Sequence, residues 1–254
     1  MYMAKIISVA NQKGGVGKTT SSINISAYIA KAGKSVLLID LDMQGNATTG
    51  SGIDRSNLES CAYDVLIQST ECSKIILPSS YGYDVLPSTM NLAGAEVELL
   101  QIPSWEYSLK KQLDKISVHY DYVFIDCPPS LGVITINALV ASDSVLIPLQ
   151  CEYYALEGVS SFIQTFKRIQ KNLNPSIQIE GVLLTMYNQT TTLSKDVSNE
   201  VINYFGNLVF KTIIPRNVRL SESPSYGKPI SEYDEHSKGA KAYELLAEEL
   251  LQHD

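Results

Sequence analysis

No stretch of these 254 residues approaches the apolar length of a membrane-spanning helix, about 20 residues, so the chain is not expected to cross a bilayer. The N-terminus reads as a strand and lacks the pattern of a signal peptide. Cysteine is scarce. Cys61, Cys72, Cys127 and Cys151 are scattered without metal-ligand spacing, which predicts reduced thiols in a cytosolic protein. Positive charge is in deficit too: 20 basic against 27 acidic side chains leave a net charge of −7. With a pI near 5.1, such a chain can hold DNA only through a local basic patch. Internal repeats and low-complexity linkers are also missing. A hydrophobic content of 44% with 19% charged residues then predicts one ordinary soluble domain over residues 1–254.

What the chain does have is concentrated near its start. Ile6, Ile7 and Val9 form a short β-branched run suited to a strand covered on both faces. It leads into Lys13-Gly14-Gly15-Val16-Gly17-Lys18-Thr19-Thr20, with three glycines and two lysines in its first six residues. Glycine lets backbone N–H groups turn inward, and the helix expected from Thr19 to Ala32 adds its own unpaired N–H groups and positive dipole end. Such a loop cradles phosphate, with Lys18 along the β- and γ-phosphates and the Thr19 hydroxyl on Mg²⁺. The bland alternative is a basic, flexible turn. The ordinary phosphate-loop pattern asks for glycine where this chain has Gln12, and it has the additional Lys13 instead.

Ser35 to Asp40 is the next buried strand, so strand, loop, helix and strand make a right-handed βαβ unit in a parallel sheet. The expected fold is therefore α/β, a doubly wound, mostly parallel sheet with helices on both faces. In such sheets ligands collect at the carboxyl ends of the strands, which places Asp40 and Asp42 beside the phosphates. A carboxylate there can orient water or hold the metal's water shell, and a turn or helix cap is the competing duty of Asp40. Tyr120 to Asp126 is a hydrophobic strand ending in a carboxylate suited to Mg²⁺, and Pro128 and Pro129 turn the chain away from it. Helices are expected over 61–68, 94–101, 104–116, 132–140, 155–172 and 192–205, and strands over 83–86, 144–149, 177–185 and 208–214. The last helix, 238–252, is expected to bury Leu245, Leu246 and Leu250 and to expose glutamates. Residues 215–224 read as a long polar loop.

The box from Lys13 to Thr20 resembles the deviant Walker A sequence of the ParA/MinD ATPases, a branch of the P-loop NTPases. The likeness continues through Asp40 to Thr48 (switch I), Asp126 to Gly132 (Walker B and switch II), Ile214 to Ser223, and Tyr226 to Ile230. It implies an ATPase that uses ATP and Mg²⁺. Residues 13–20 (Lys13, Gly14, Gly15, Val16, Gly17, Lys18, Thr19 and Thr20) would hold nucleotide, and Pro215 and Asn217 the adenine. Thr19 and Asp126 would meet the metal, with Asp40 near its water shell. Lys13 would reach across a homodimer to the partner's phosphates, Lys18 would act on the phosphates of its own subunit, and Asp42 would position the hydrolytic water. Met43 stands where relatives usually carry proline.

Three functions compete. A ParA/Soj-type partition ATPase would form an ATP-sandwich homodimer, coat double-stranded DNA non-specifically and be released by a ParB-type partner that stimulates slow hydrolysis. It would be cytoplasmic, and nucleoid-associated when ATP-bound. Its DNA contacts would fall to Arg219, Arg216, Lys195 and Lys228. Thr190 replaces a family arginine, so the salt slope should shrink by about 0.9 for each phosphate left without its cation. A MinD-like ATPase positioning a protein or membrane cargo is the alternative. It would need a basic amphipathic terminal helix, whereas this one is acidic and finishes Gln252-His253-Asp254. A metabolic relative would need paired cysteines or a substrate domain. The reading that follows is chromosome or plasmid partitioning, with no membrane partner.

Overall fold

The computed structural model describes residues 3–152 and 155–252, so His253 and Asp254 lie outside the described residues. Among the described residues, seven strands form one sheet: β1 (Lys5–Val9), β2 (Val36–Asp40), β3 (Leu77–Pro78), β4 (Asp84–Leu86), β5 (Tyr122–Asp126), β6 (Ser144–Gln150) and β7 (Gln178–Thr185). Their spatial order is β3-β4-β2-β5-β1-β6-β7, and every pairing is parallel except the edge pair β3–β4. Strand β1 lies between β5 and β6, where the winding reverses, so the loop that follows it opens into the crevice of the sheet.

Alternation along each strand feeds two hydrophobic layers. Leu37, Ile39, Val123, Ile125, Val145 and Ile147 face one layer, covered by helices that include Val133–Ala141 and Ala155–Asn172. Val36, Leu38, Phe124 and Leu146 face the other, covered by Lys18–Lys31 and Lys238–Gln252. Phe162, Phe166 and Ile169 are buried in the first layer as the helical spacing predicts. Ile23 and Ala27 are buried, whereas Ala30 is only half-buried.

Register matters more for function than packing does. Val9 pairs with Asp126 and Asp40 pairs with Asp126, so β1, β2 and β5 all end at one level. The glycine loop, the Asp40–Asp42 loop and Asp126 therefore emerge side by side.

Several local expectations are corrected. Residues 208–214 do not rejoin the sheet as a strand. Isolated bridges form at Val209 and Pro215, and between them Lys211 N and Thr212 N donate to the Glu249 carboxylate at 2.8 and 3.0 Å. Those two donors are drawn off the sheet edge by the last helix. Leu245 is exposed, because that helix buries Ala242, Tyr243, Leu246, Ala247 and Leu250 at three- and four-residue spacing, and Leu245 falls outside the stripe. The helices expected over 94–101 and 104–116 are shorter, Leu92–Glu98 and Ser108–Leu113, flanked by 3-10 turns. Strand β3 and helix Asn46–Gly50 were not anticipated. The supposed loop 215–224 contains the helix Val218–Glu222, capped by Asn217 Oδ1 on Arg219 N at 2.8 Å.

Candidate functional site

The glycine loop meets its helix at Gly17, whose φ of +90° favours glycine because a Cβ there would strain the backbone. Strand β7 braces the loop from behind, with Thr185 Oγ1 donating to the Val16 carbonyl at 2.8 Å. The Val16 side chain is buried beneath the loop. In front is an open cavity of about 430 Å³ lined by Gly14, Gly15, Gly17, Lys18, Thr19, Thr20, Asp42, Asn46, Pro129 and Met186. Backbone N–H groups at a helix start, a lysine and a carboxylate thus face one space, a suitable cradle for a polyphosphate.

Lys18 is 7% exposed and its Nζ donates to the Lys13 carbonyl at 3.1 Å. Burial lowers its pKa, while the carboxylates of Asp126 and Asp42 and the Cys127 thiol oppose that shift. Thr19 Oγ1 and Ser22 Oγ donate to the two oxygens of Asp126 at 2.7 and 2.9 Å. A hydroxyl and one carboxylate are hard oxygen donors, and Mg²⁺ commonly takes one or two carboxylates while sharing the rest of its shell with phosphates and water. Thr19 and Asp126 fit that ion.

Asp40 takes up its competing duty, a turn carboxylate that holds its own loop. Its Oδ1 accepts from Asp42 N at 3.1 Å, and its Oδ2 accepts from Thr48 N at 2.8 Å and Thr48 Oγ1 at 2.7 Å. It is fully buried, and these donors turn it into the anchor of the switch I loop.

Burial, then the nearby Asp40 charge, pushes the Asp126 carboxyl up from 3.8 to about 8, against its hydrogen bonds from Thr19 and Ser22. The folded chain therefore holds a proton that the unfolded chain has released, so stability falls as pH rises from the ordinary carboxylate range towards about 8. Asp126→Asn is expected to reduce this slope, chiefly above about pH 6, since Asp40, pushed up to about 6 by its own burial, keeps a share below it. The substitution should also raise the melting temperature of the nucleotide-free protein near pH 8. Thermal melts from about pH 5 to about pH 8 check it. A slope unchanged by the substitution would contradict the assignment.

Lys13 points elsewhere. It does not line the cavity, and its Nζ pairs with Glu152 Oε2 at 2.9 Å on the surface, where Gln150 Nε2 also donates to Glu152. In a single chain the two lysines of the box are thus separated in direction, one in the cavity and one outside it.

A second cavity of about 220 Å³ shares Gly17, Thr20 and Met186 with the first and is walled by Ile214, Pro215, Arg216, Asn217, Leu220 and Tyr243. Pro215 and Asn217 are brought here by the bridge between Pro215 and Tyr187 and by the hydrogen bond from Arg216 N to the Tyr187 carbonyl at 3.0 Å. Asn217 Oδ1 is used by the helix cap, which leaves the amide NH₂ to face a ligand. This cavity adjoins the phosphate cradle and combines apolar walls from Ile214, Pro215 and Leu220 with the polar Asn217 and Arg216, a lining compatible with a nucleotide base.

A family model described as an AAA domain matches residues 4–179. The sporulation initiation inhibitor protein Soj of Bacillus subtilis is 55% identical over 249 residues, 98% of this chain and 98% of that protein. The chromosome partitioning protein ParA of Myxococcus xanthus is 48% identical over 253 residues, 99% of this chain and 89% of that one. The chain belongs to the ParA/Soj family. Among solved structures, a cobyrinic acid a,c-diamide synthase from Mycobacterium smegmatis, with bound ATP analogue and magnesium, matches with a TM-score of 0.87 and 40% identity. The match covers 98% of this chain and 95% of that one. The sheet and its flanking helices are those of a P-loop NTPase of the ParA/Soj type.

The cations expected to serve DNA are all exposed: Lys195 on Thr192–Phe205, Arg216 and Arg219 around the base cavity, and Lys228 beyond it. The Thr190 segment adjoins Arg216 through the Tyr187–Pro215 bridge, so these parts of the ParA/Soj surface are neighbours. Arg219 is already engaged, with Nη1 on Glu222 Oε2 at 3.0 Å and Nε on Asp234 Oδ2 at 3.3 Å. The acidic face of the last helix is observed as expected, and among the described residues no helix is long and apolar enough to cross a membrane. All four cysteines are buried, and burial pushes the Cys72, Cys127 and Cys151 thiols up, so none of these three presents a thiolate to a substrate.

Sequence reasoning missed Met186, which lines both cavities with a φ of +50°. A non-glycine residue there marks local backbone strain, and nothing in the residue type announces it. It also missed Asn46 and Glu152. Asn46 was within reach, since it sits one turn past Asp42 in the same motif.

Proposed function

We propose that this ParA/Soj-family chain is an ATP-hydrolysing switch that partitions a chromosome or plasmid. ATP with Mg²⁺ is held on residues 13–20, and the adenine rests between Pro215 and Asn217. Two subunits close face to face over their nucleotides. Lys13 then exchanges Glu152 for the partner's phosphates, a charge supplied in trans by the logic of an arginine finger, which is worth about 10³–10⁵ in rate. Mg²⁺, when bound, neutralises charge across the phosphates. Lys18 grips the phosphates, and Asp42 orients the attacking water. Hydrolysis is slow until a ParB-type partner completes the geometry. The ATP-bound dimer lies on non-specific double-stranded DNA, in the cytoplasm and over the nucleoid.

The observation that carries this reading is the contrast between the two lysines: Lys18 lines the cavity, and Lys13 stands outside it on Glu152. Lys13 belongs to the family's phosphate box yet turns away from the cavity of its own chain, which supports its serving a second chain.

DNA binding is the finer part of the reading and has its own test. Binding of Asp42→Ala to random duplex DNA should require ATP, weaken steeply with salt, and fall sharply in Arg219→Ala. The net charge of −7, the missing arginine at Thr190, and the carboxylates of Glu222 and Asp234 on Arg219 all reduce the number of phosphates the surface can neutralise. The salt slope should drop by about 0.9 for each such phosphate. No binding at low salt by a proven ATP dimer would assign the switch to a protein cargo instead.

A further inference from the structure

The switch I loop is closed into a ring by a residue outside the motifs that define the family. Each of the three guanidinium nitrogens of Arg55 donates to a backbone carbonyl: Nε to Ser88 O at 3.1 Å, Nη2 to Met43 O at 3.2 Å, and Nη1 to Gln44 O. Among the described residues it makes no ion pair with an acid. It packs so closely on Gly45 that a Cβ there would overlap the guanidinium, and Gly45 also has a φ of +59°. Glycine is favoured at Gly45 by its backbone, and a side chain there would push the Arg55 guanidinium out of its place.

The ring then runs inward. Ser88 N donates to Thr48 Oγ1 at 2.9 Å, Thr48 donates twice to Asp40, and Asp40 accepts from Asp42 N. Asp42 Oδ1 in turn accepts from Gln44 N at 2.9 Å, within the segment that Arg55 holds. Asp40, Thr48 and Ser88 are fully buried, while Arg55 is half-buried at the rim. Arg55 is thus the link that can open without exposing core.

We propose that Arg55 is a positioning residue for hydrolysis, fixing the Met43–Gly45 turn so that the Asp42 carboxylate points at the attacking water. This rests on the assignment of Asp42 above. Arg55 touches neither cavity wall around the phosphates nor the base cleft, so its effect falls on turnover and not on nucleotide affinity. Without it the turn's carbonyls are released to solvent and Asp42 loses its fixed aim. Displacement of a reacting group by about an ångström costs on the order of a hundredfold in rate.

The test uses the full chain with Arg55→Met, which keeps the stem and removes the donors, together with Arg55→Lys and Arg55→Ala. ATP affinity is read by displacement of a fluorescent analogue, and hydrolysis by single turnover, beside wild type and Asp42→Ala. Arg55→Met should hydrolyse about ten- to a hundredfold more slowly with its ATP affinity unchanged. Arg55→Lys should recover part of the rate, and methylguanidinium at millimolar levels should rescue Arg55→Ala but not Arg55→Met, whose side chain fills the space. Rescue of turnover by a small cation is a readout that a merely structural role would not move. A wild-type rate in Arg55→Met beside an inactive Asp42→Ala would overturn the proposal, as would equal loss of affinity and turnover. A wild type and Asp42→Ala of equal rate would instead overturn the assignment of Asp42 on which it rests.

Discussion

Lys18→Ala is expected to cut ATP affinity by at least about a hundredfold, the largest expected loss of binding. Lys18 is 7% exposed as a residue and its ammonium is held by the Lys13 carbonyl, at the head of a helix whose N–H groups face the same cavity. Burial makes its charge costly in the free protein, which is why its pKa is lowered. A bound triphosphate supplies the missing counter-charge. Each charge-assisted hydrogen bond to a phosphate is worth about 1.5–3 kcal/mol, so losing two costs roughly a hundredfold or more in affinity. The same substitution removes a desolvated cation, so the nucleotide-free protein should be at least as stable as wild type. A fluorescent-nucleotide titration and a thermal melt read these opposite effects. Parallel loss of binding and of stability would mean that the fold, and not the cradle, had failed.

Asp42→Ala carries the second large effect, and in a different variable. Asp42 lines the phosphate cavity, yet its Oδ1 accepts from Gln44 N within its own turn and not from the glycine loop. Removing it should leave nucleotide affinity nearly intact. Hydrolysis should fall by about 10²–10⁴, the range of a positioned acid–base group. The ATP-bound dimer would then persist, and size measurement with ATP against ADP would show it. A variant that remained monomeric with ATP would place Asp42 in dimer closure and not in chemistry.

The parts of this site that could be read from the chain are those in which consecutive residues do the work. The glycine loop, Asp40 to Thr48, and the strand ending in Asp126 each carry their geometry in local backbone, and the parallel register aligns their ends. What could not be read depends on distant partners. Glu152 meets Lys13 across 139 residues, Thr185 braces Val16 across 169, and Glu249 pulls 211–212 off the sheet across 38 and 37. Arg55 is a surface arginine by composition, and only the fold lays it over Gly45. Asp40 shows the limit inside a motif. Its residue type fits a metal's water shell, and only the fold shows that three donors from its own loop also bind it. Leu245 shows the same for patterning: the buried stripe runs through Ala242, Tyr243, Leu246, Ala247 and Leu250, and Leu245 lies one step outside it although its residue type matches Leu246.

The central claim is that Lys13 serves the site of a second subunit, and mixing Lys13→Ala with Asp42→Ala tests it most directly. Each variant alone should be nearly inactive. If Lys13 acts in trans, a mixed dimer holds one complete site, made by the loop and Asp42 of one subunit and Lys13 of the other. An equal mixture with random pairing should then recover about a quarter of the wild-type rate, because half the dimers are mixed and each has one working site of two. If Lys13 acts on its own subunit's nucleotide, every loop in the mixture lacks one group or the other. The mixture would then stay as inactive as its parts, and the account would be contradicted.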